Sequence, residues 1–186
     1  EKIAAGGAYQ KPAAVMNTAS EAYAYVIKWE GVQSAKAIGL LLQKGITLRY
    51  SEIPFDVSGQ KFAAGSVIVM KTSNQAAGSS LWKYVADACN TANVKAYPVT
   101  TGFVDNGGDF GSDVVHPFKL KRVVLLTGEG VGGNAAGEIW QFFDQQLQYP
   151  LSLVYANDIS LINWQQTDVI IMPDGYYKFL SDKSAN

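Results

Sequence analysis

Short apolar runs alternate with segments of helical period, twice over, and this rhythm constrains the fold more than any other feature of the chain. Ala22–Lys28 is rich in aromatic and β-branched residues and reads as a strand. Ser34–Lys44 follows with Ala35, Ile38, Leu41 and Leu42 at helical spacing, and Gly45 stands just past it as a C-capping glycine should. Ile46–Tyr50 reads as a second strand. Phe55–Phe62 carries the turn signal Ser58-Gly59 between short segments. Gly65–Lys71 is a third strand whose continuous apolar run predicts burial on both faces. Ser79–Asn93 reads as a helix that Ser79 or Ser80 caps, with Leu81, Tyr84, Val85 and Ala88 along one side. Val94–Val99 is a further strand.

The second half repeats the pattern. Arg122–Leu126 reads as a buried strand, Thr127–Gly137 as a glycine-rich turn, and Glu138–Gln148 as a helix with Ile139, Phe142, Phe143 and Leu147 on one face, ended by Pro150. Leu151–Tyr155 and Asp168–Met172 are the remaining strands, with the short segment Ile159–Trp164 between them and Pro173-Asp174-Gly175 after them. The chain thus divides into an irregular lead-in (1–20), a first α/β half (21–105), a connector rich in glycine and aspartate (106–121) and a second α/β half (122–186). The expected architecture is α/β, three-layered, with a mainly parallel sheet and helices on both faces. Ligands of such sheets bind beyond the carboxyl ends of the strands, here the loops after Leu126, Tyr155 and Met172.

Composition narrows the function. Of 186 residues 48% are apolar, enough for a packed core. Fifteen Lys and Arg against sixteen Asp and Glu leave a formal charge of −1, which argues against a nucleic-acid binder or an anionic-membrane binder. Apolar stretches such as Ile38–Leu42 and Val123–Leu126 are far shorter than the roughly 20 residues of a membrane span. One histidine, His116, and one cysteine, Cys89, exclude an internal disulfide and any multi-cysteine or multi-histidine metal centre. No metal and no cofactor are expected. Glu1 to Pro12 lacks the basic head and apolar run of a signal peptide. The low charged fraction and the abundance of small polar residues suit an exported bacterial protein, periplasmic or extracellular.

The candidate ligand-binding residues are Gly128, Glu129, Gly130, Glu138, Asp174, His116 and Asp113. Gly128-Glu129-Gly130-Val131-Gly132-Gly133 matches G-x-G-x-x-G after a strand and before a helix, a turn whose N–H groups can approach a phosphate. Asp158, beyond the next strand, stands where an acidic residue meets a ribose hydroxyl in a dinucleotide site. The structural alternative is a plain strand-to-helix turn, with Glu138 stabilising the helix start. His116 precedes Pro117, three residues after Asp113, as a general base or as a loop histidine bonded to backbone. Asp109, Asp113, Glu129 and Asp174 are carboxylates of one sheet end or of solvated loops. Cys89 and the aromatic set Trp140, Phe142, Phe143, Tyr149 and Trp164 read as core. Tyr176-Tyr177 edges a pocket or covers the last strand.

Several stretches resemble a known family. Val123–Gly130, Gly137–Asp144, Tyr149-Pro150-Leu151 and Asp168–Tyr176, with Tyr25-Val26-Ile27, Gly45-Ile46, Phe62–Val69 and Phe110–Asp113 upstream, resemble the C-terminal region of Bacteroidetes-type zinc carboxypeptidases of the carboxypeptidase A type. The resemblance covers most of residues 22–177. It implies an accessory region beside an upstream peptidase domain, because the family's His-x-x-Glu pair and distant histidine have no counterpart here. The last part resembles the class I glutamine amidotransferase-like fold, a flavodoxin-like sheet, without the nucleophile elbow of its active members. Three functions are therefore expected as alternatives. One is a non-catalytic accessory domain that supports the peptidase domain or binds peptide or glycan. Another is a ligand-binding enzyme domain of amidotransferase-like or flavodoxin-like type using Gly128–Gly133. The third is a structural module that dimerises with a second copy.

Overall fold

The strands of the first half alternate in facing, and that alternation builds two separate cores. In a computed structural model, which describes residues 16–181, β1 (Ala24–Ile27) turns Tyr25 and Ile27 to one side and Ala24 and Val26 to the other. β5 (Val67–Met70) does the same with Val67 and Val69 against Ile68 and Met70. Side chains of period two on a strand buried on both faces need two covering layers. On one face lie α1 (Val32–Gln43) and α2 (Leu81–Ala92), supplying Ala37, Ile38, Leu41, Leu81, Trp82, Val85 and Cys89. On the other lie the hairpin β3 (Phe55–Val57) and β4 (Gln60–Phe62), and Phe110 from the connector. Ser58 and Gly59, both at positive φ, make the two-residue hairpin turn.

The sheet these layers enclose is antiparallel throughout. Its order is β6-β1-β5-β2-β7, with β2 at Leu48–Ser51, β6 at Ala96–Val99 and β7 at Val115–Phe118. β1 and β2 are joined by α1 yet lie on either side of β5. β5 and β6 are joined by α2 yet lie on either side of β1. These are two interleaved split βαβ units, the ferredoxin-like βαββαβ arrangement, with the β3–β4 hairpin inserted before its third strand and β7 added at the edge.

The second sheet has three parallel strands, order β10-β8-β9, with β8 at Val123–Thr127, β9 at Leu151–Tyr155 and β10 at Val169–Ile171. α3 (Gly133–Gln141) packs on β8 and runs directly into a π-helical segment, Phe142–Leu147. On the opposite face Val124 and Leu126 meet Ala156, Ile162 and Tyr177, the last just before α4 (Lys178–Ser181).

The mainly parallel three-layer sheet expected from the sequence is thus incorrect. Only the second half pairs in parallel, through three strands, whereas the larger sheet is antiparallel. A strand–helix–strand rhythm leaves room for a third strand between the two it joins, and here β5 and β1 take those places. The connector also hides a strand. β7 contains Pro117, which an edge strand tolerates because one side of it makes no ladder. Helix α3 begins at Gly133, five residues before the expected start, so Gly133–Gly137 is helix rather than turn. The lead-in is described only from Met16. There Asn17 receives the Ala96 N–H at 2.8 Å and donates to the Val94 carbonyl at 2.8 Å, tying this segment to the β6 edge. Residues 1–15 and the polar tail 182–186 lie outside the described residues.

Candidate functional site

The loops after β8 and β10 are fastened to each other by backbone. Gly132 N–H donates to the Asp174 carbonyl at 2.7 Å and Tyr176 N–H to the Gly130 carbonyl at 2.6 Å. These bonds form an isolated antiparallel bridge, Val131 to Gly175. The fit allows no side chain. A Cβ on Gly130 would stand 2.4 Å from the Tyr176 carbonyl oxygen, and one on Gly175 would stand 2.5 Å from that of Gly130. Gly130 and its neighbour Gly132 are therefore accounted for by close approach of two loops, Gly128 lies against the Tyr155 ring, and Gly133 meets nothing; the Gly132 amide that a phosphate would seek already has an acceptor.

Beside this clamp a cleft of about 390 Å³ opens between α3 and β9. Thr127 and Gly128 lie at the end of β8, Gly133 and Gly137 leave one side of α3 bare, and Trp140 and Leu153 form the walls. Trp140 is 46% exposed, Leu153 53% and Tyr155 65%. Leu153 pairs with Leu125 in parallel register, so it stands beside a fully buried leucine on an uncovered strand. The site is a mainly apolar surface at the carboxyl end of a parallel sheet, where open α/β sheets place ligands.

Of the seven candidate residues, Gly128, Glu129, Gly130 and Asp174 come together at this end. The exposed Glu129 carboxylate meets Lys178 Nζ at 3.3 Å and Asn157 Nδ2 at 3.5 Å, while Asp174 gives its carbonyl to the clamp. Glu138 is exposed in the second turn of α3. It lies past the first turn, where a carboxylate would stabilise the helix start, and that reading is corrected by the earlier start of the helix. His116 and Asp113 belong to the other sheet. His116 stands on β7 opposite Tyr50, with Nε2 3.0 Å from Glu52 Oε2, and Asp113 is exposed just before that strand. Asp158 is exposed in the 3-10 segment Ala156–Leu161. Among the described residues no group of three His, Cys, Asp or Glu is placed to hold a metal ion, and no helix is long and apolar enough to cross a membrane.

Other readings resolve simply. Cys89 is fully buried, and burial pushes its thiol up to about 12. Tyr177 is buried and donates to the Pro173 carbonyl at 2.6 Å, with its phenol raised by burial and then by the Asp174 charge. Tyr176 is exposed. The aromatic set is not core: Trp140 and Trp164 are exposed, and Phe142, Phe143 and Tyr149 are half-buried. Sequence reasoning missed Trp140 and Leu153 as site residues. The available signal was the small-residue run Gly133–Gly137 beside Trp140, which leaves a helix face that packs on little. No family model matches the chain, nor does any curated protein or solved structure.

Proposed function

We propose that the chain is a non-catalytic accessory module of a secreted zinc-carboxypeptidase-like protein, and that it supports the peptidase domain by packing the cleft between α3 and β9 against it. One observation supports this reading above the others. Trp140, Leu153 and Tyr155 form an exposed apolar patch on a parallel sheet, an arrangement that ordinarily has both faces covered. A neighbouring domain would complete that cover. The clamp between the 128–133 and 173–176 loops favours this reading over a phosphate-binding one, because Gly130 and Gly132 serve loop contact and the Gly132 amide already has its acceptor.

The test compares this chain with a longer polypeptide that carries a peptidase domain upstream of it, both supplied with zinc. Peptide cleavage by the longer form alone is the expected result, with Trp140→Asp and Leu153→Asp lowering its melting temperature more than that of the isolated chain. Cleavage by the isolated chain would overturn the reading. A stable homodimer of the isolated chain, broken by the same two substitutions, would replace the neighbouring domain by a second copy.

A further inference from the structure

A sheet edge takes a further strand only where outward N–H and C=O groups are left to build a ladder. The antiparallel sheet has lost its outward donors at both edges. On β6 the Ala96 N–H goes to Asn17 Oδ1 at 2.8 Å, and Pro98, two residues on and facing the same way, has no N–H. On β7 the Val115 N–H goes to the Ser112 carbonyl at 3.1 Å, and Pro117, again two residues on, has none.

The parallel sheet is treated differently. The Val169 N–H donates to the Arg122 carbonyl at 3.2 Å, so the even-numbered residues of β8 face β10 and the odd-numbered ones face β9. In the parallel register of β8 with β9, Ser152 and Val154 then face β8. The Thr127 hydroxyl, 3.4 Å from the Val154 carbonyl, meets it from that side. Leu151, Leu153 and Tyr155 therefore turn their N–H groups away from the sheet. Among the described residues none of the three donates to a turn, a side chain or a neighbouring segment. β9 is five residues long and carries no charge, proline or glycine, the usual protections of an edge. β10 is only three residues long and turns Ile170 alone outward.

We propose that β9 is the docking edge of this molecule, and that the neighbouring domain fills it with an extended, uncharged strand paired main chain to main chain. The inference rests on the accessory reading and specifies its contact. Ladder bonds run to Leu151, Leu153 and Tyr155, and apolar side chains at alternate positions of the added strand lie beside Leu153 and Tyr155, next to the cleft. The uncharged character follows from β9 itself. A charged side chain laid beside Leu153 would lose water and meet no opposite charge on this strand.

The test is hydrogen exchange, resolved to single amides, in the isolated chain and in the longer polypeptide supplied with zinc. The Leu153 and Tyr155 amides are expected to exchange openly in the isolated chain and to slow by about tenfold or more in the longer form. The Ala96 amide, already bonded to Asn17, keeps its rate. Trp140→Asp separates the strand from the packing it accompanies. If it lowers the melting temperature of the longer form more than that of the isolated chain, yet the β9 amides stay fast, the domains pack without a strand. That result overturns the proposal and leaves the accessory reading standing. If neither effect occurs, both are overturned. Slow β9 exchange in the isolated chain that quickens on dilution gives the edge to a second copy and overturns the neighbouring domain as its occupant. Slow exchange there at every concentration shows amides bonded within the chain and overturns the edge.

Discussion

The Tyr149 hydroxyl closes on the backbone of Lys121 from both directions, accepting its N–H at 2.7 Å and donating to its carbonyl at 2.8 Å. Lys121 lies between β7 of the antiparallel sheet and β8 of the parallel one, and Tyr149 lies between the π-helical segment and β9. The same ring meets α1 at Gly39, where a Cβ would stand 3.0 Å away. One phenol thus joins three segments that are distant in sequence. Beside it Gln43 Nε2 donates to the Gln148 carbonyl at 2.9 Å.

Tyr149→Phe keeps the ring and removes both hydrogen bonds. The Lys121 peptide is exposed and water replaces part of the loss, so the expected cost is about 1 kcal/mol, read from urea unfolding. Hydrogen exchange at the Lys121 amide quickens in the same variant. An unchanged exchange rate would show that the hydroxyl does not protect that amide.

Two glycines seven residues apart, one in the motif and one in the helix that follows it, respond oppositely to alanine. Gly130→Ala places a methyl against the Tyr176 carbonyl at a residue with φ 86°, and costs more than about 1 kcal/mol. Gly137→Ala meets nothing within 4 Å inside α3, and gains about 0.5–1 kcal/mol. Thermal unfolding of the pair separates a loop clamp from a helix interior. Equal effects would refute the clamp.

Asn74 is buried with every polar atom engaged. Its Oδ1 accepts the Thr47 N–H at 2.7 Å, and its Nδ2 donates to the Thr47 and Met70 carbonyls, each at 2.9 Å. Asn74→Ala removes three bonds at about 0.5–1.5 kcal/mol each, so a loss of about 2–4 kcal/mol is expected in chemical denaturation. Asn74→Asp retains the acceptor but not the two donated bonds, and falls near the same value.

Stability is bounded in pH by groups at opposite ends of the scale. Asp168 is held below the usual carboxylate range, first by the Arg122 N–H at 2.7 Å and then by the Arg122 side chain. Its contribution is present above the ordinary value of 3.8 and is lost as pH falls through the lowered one. The Cys89 thiol is raised from 9.0 to about 12 by burial, so its contribution is full below pH 9 and is lost as pH rises toward 12. Tyr149, raised above 10 by burial, adds to the alkaline loss. Melting temperatures across pH test both limits, with Asp168→Asn flattening the acid side and Cys89→Ala the alkaline side. Native Cys89 is expected to resist thiol reagents until the chain unfolds.

The elements themselves were legible in the sequence because each is specified by residues close in the chain. Leu81, Val85 and Ala88 define the buried face of α2 by their spacing, Ser58-Gly59 fixes the hairpin, and Val67–Met70 announces a strand buried on both sides. Which strands pair, and in which direction, was not legible. Burial of Val67–Met70 is the same whether helices cover both faces or helices cover one and a hairpin the other. Apolar pattern records water exclusion, so a strand covered on both faces reads as a continuous run whichever way its neighbours point. The glycine motif shows the same division. Its sequence declares that backbone must approach something closely, and only the folded chain places the Asp174–Tyr176 backbone there. Local steric and hydrophobic preferences belonged to the sequence alone. Partners across space, including the Trp140–Leu153 cleft and the Tyr149–Lys121 junction, were decided by tertiary packing, since they join residues whose separation in the chain carries no periodic signal.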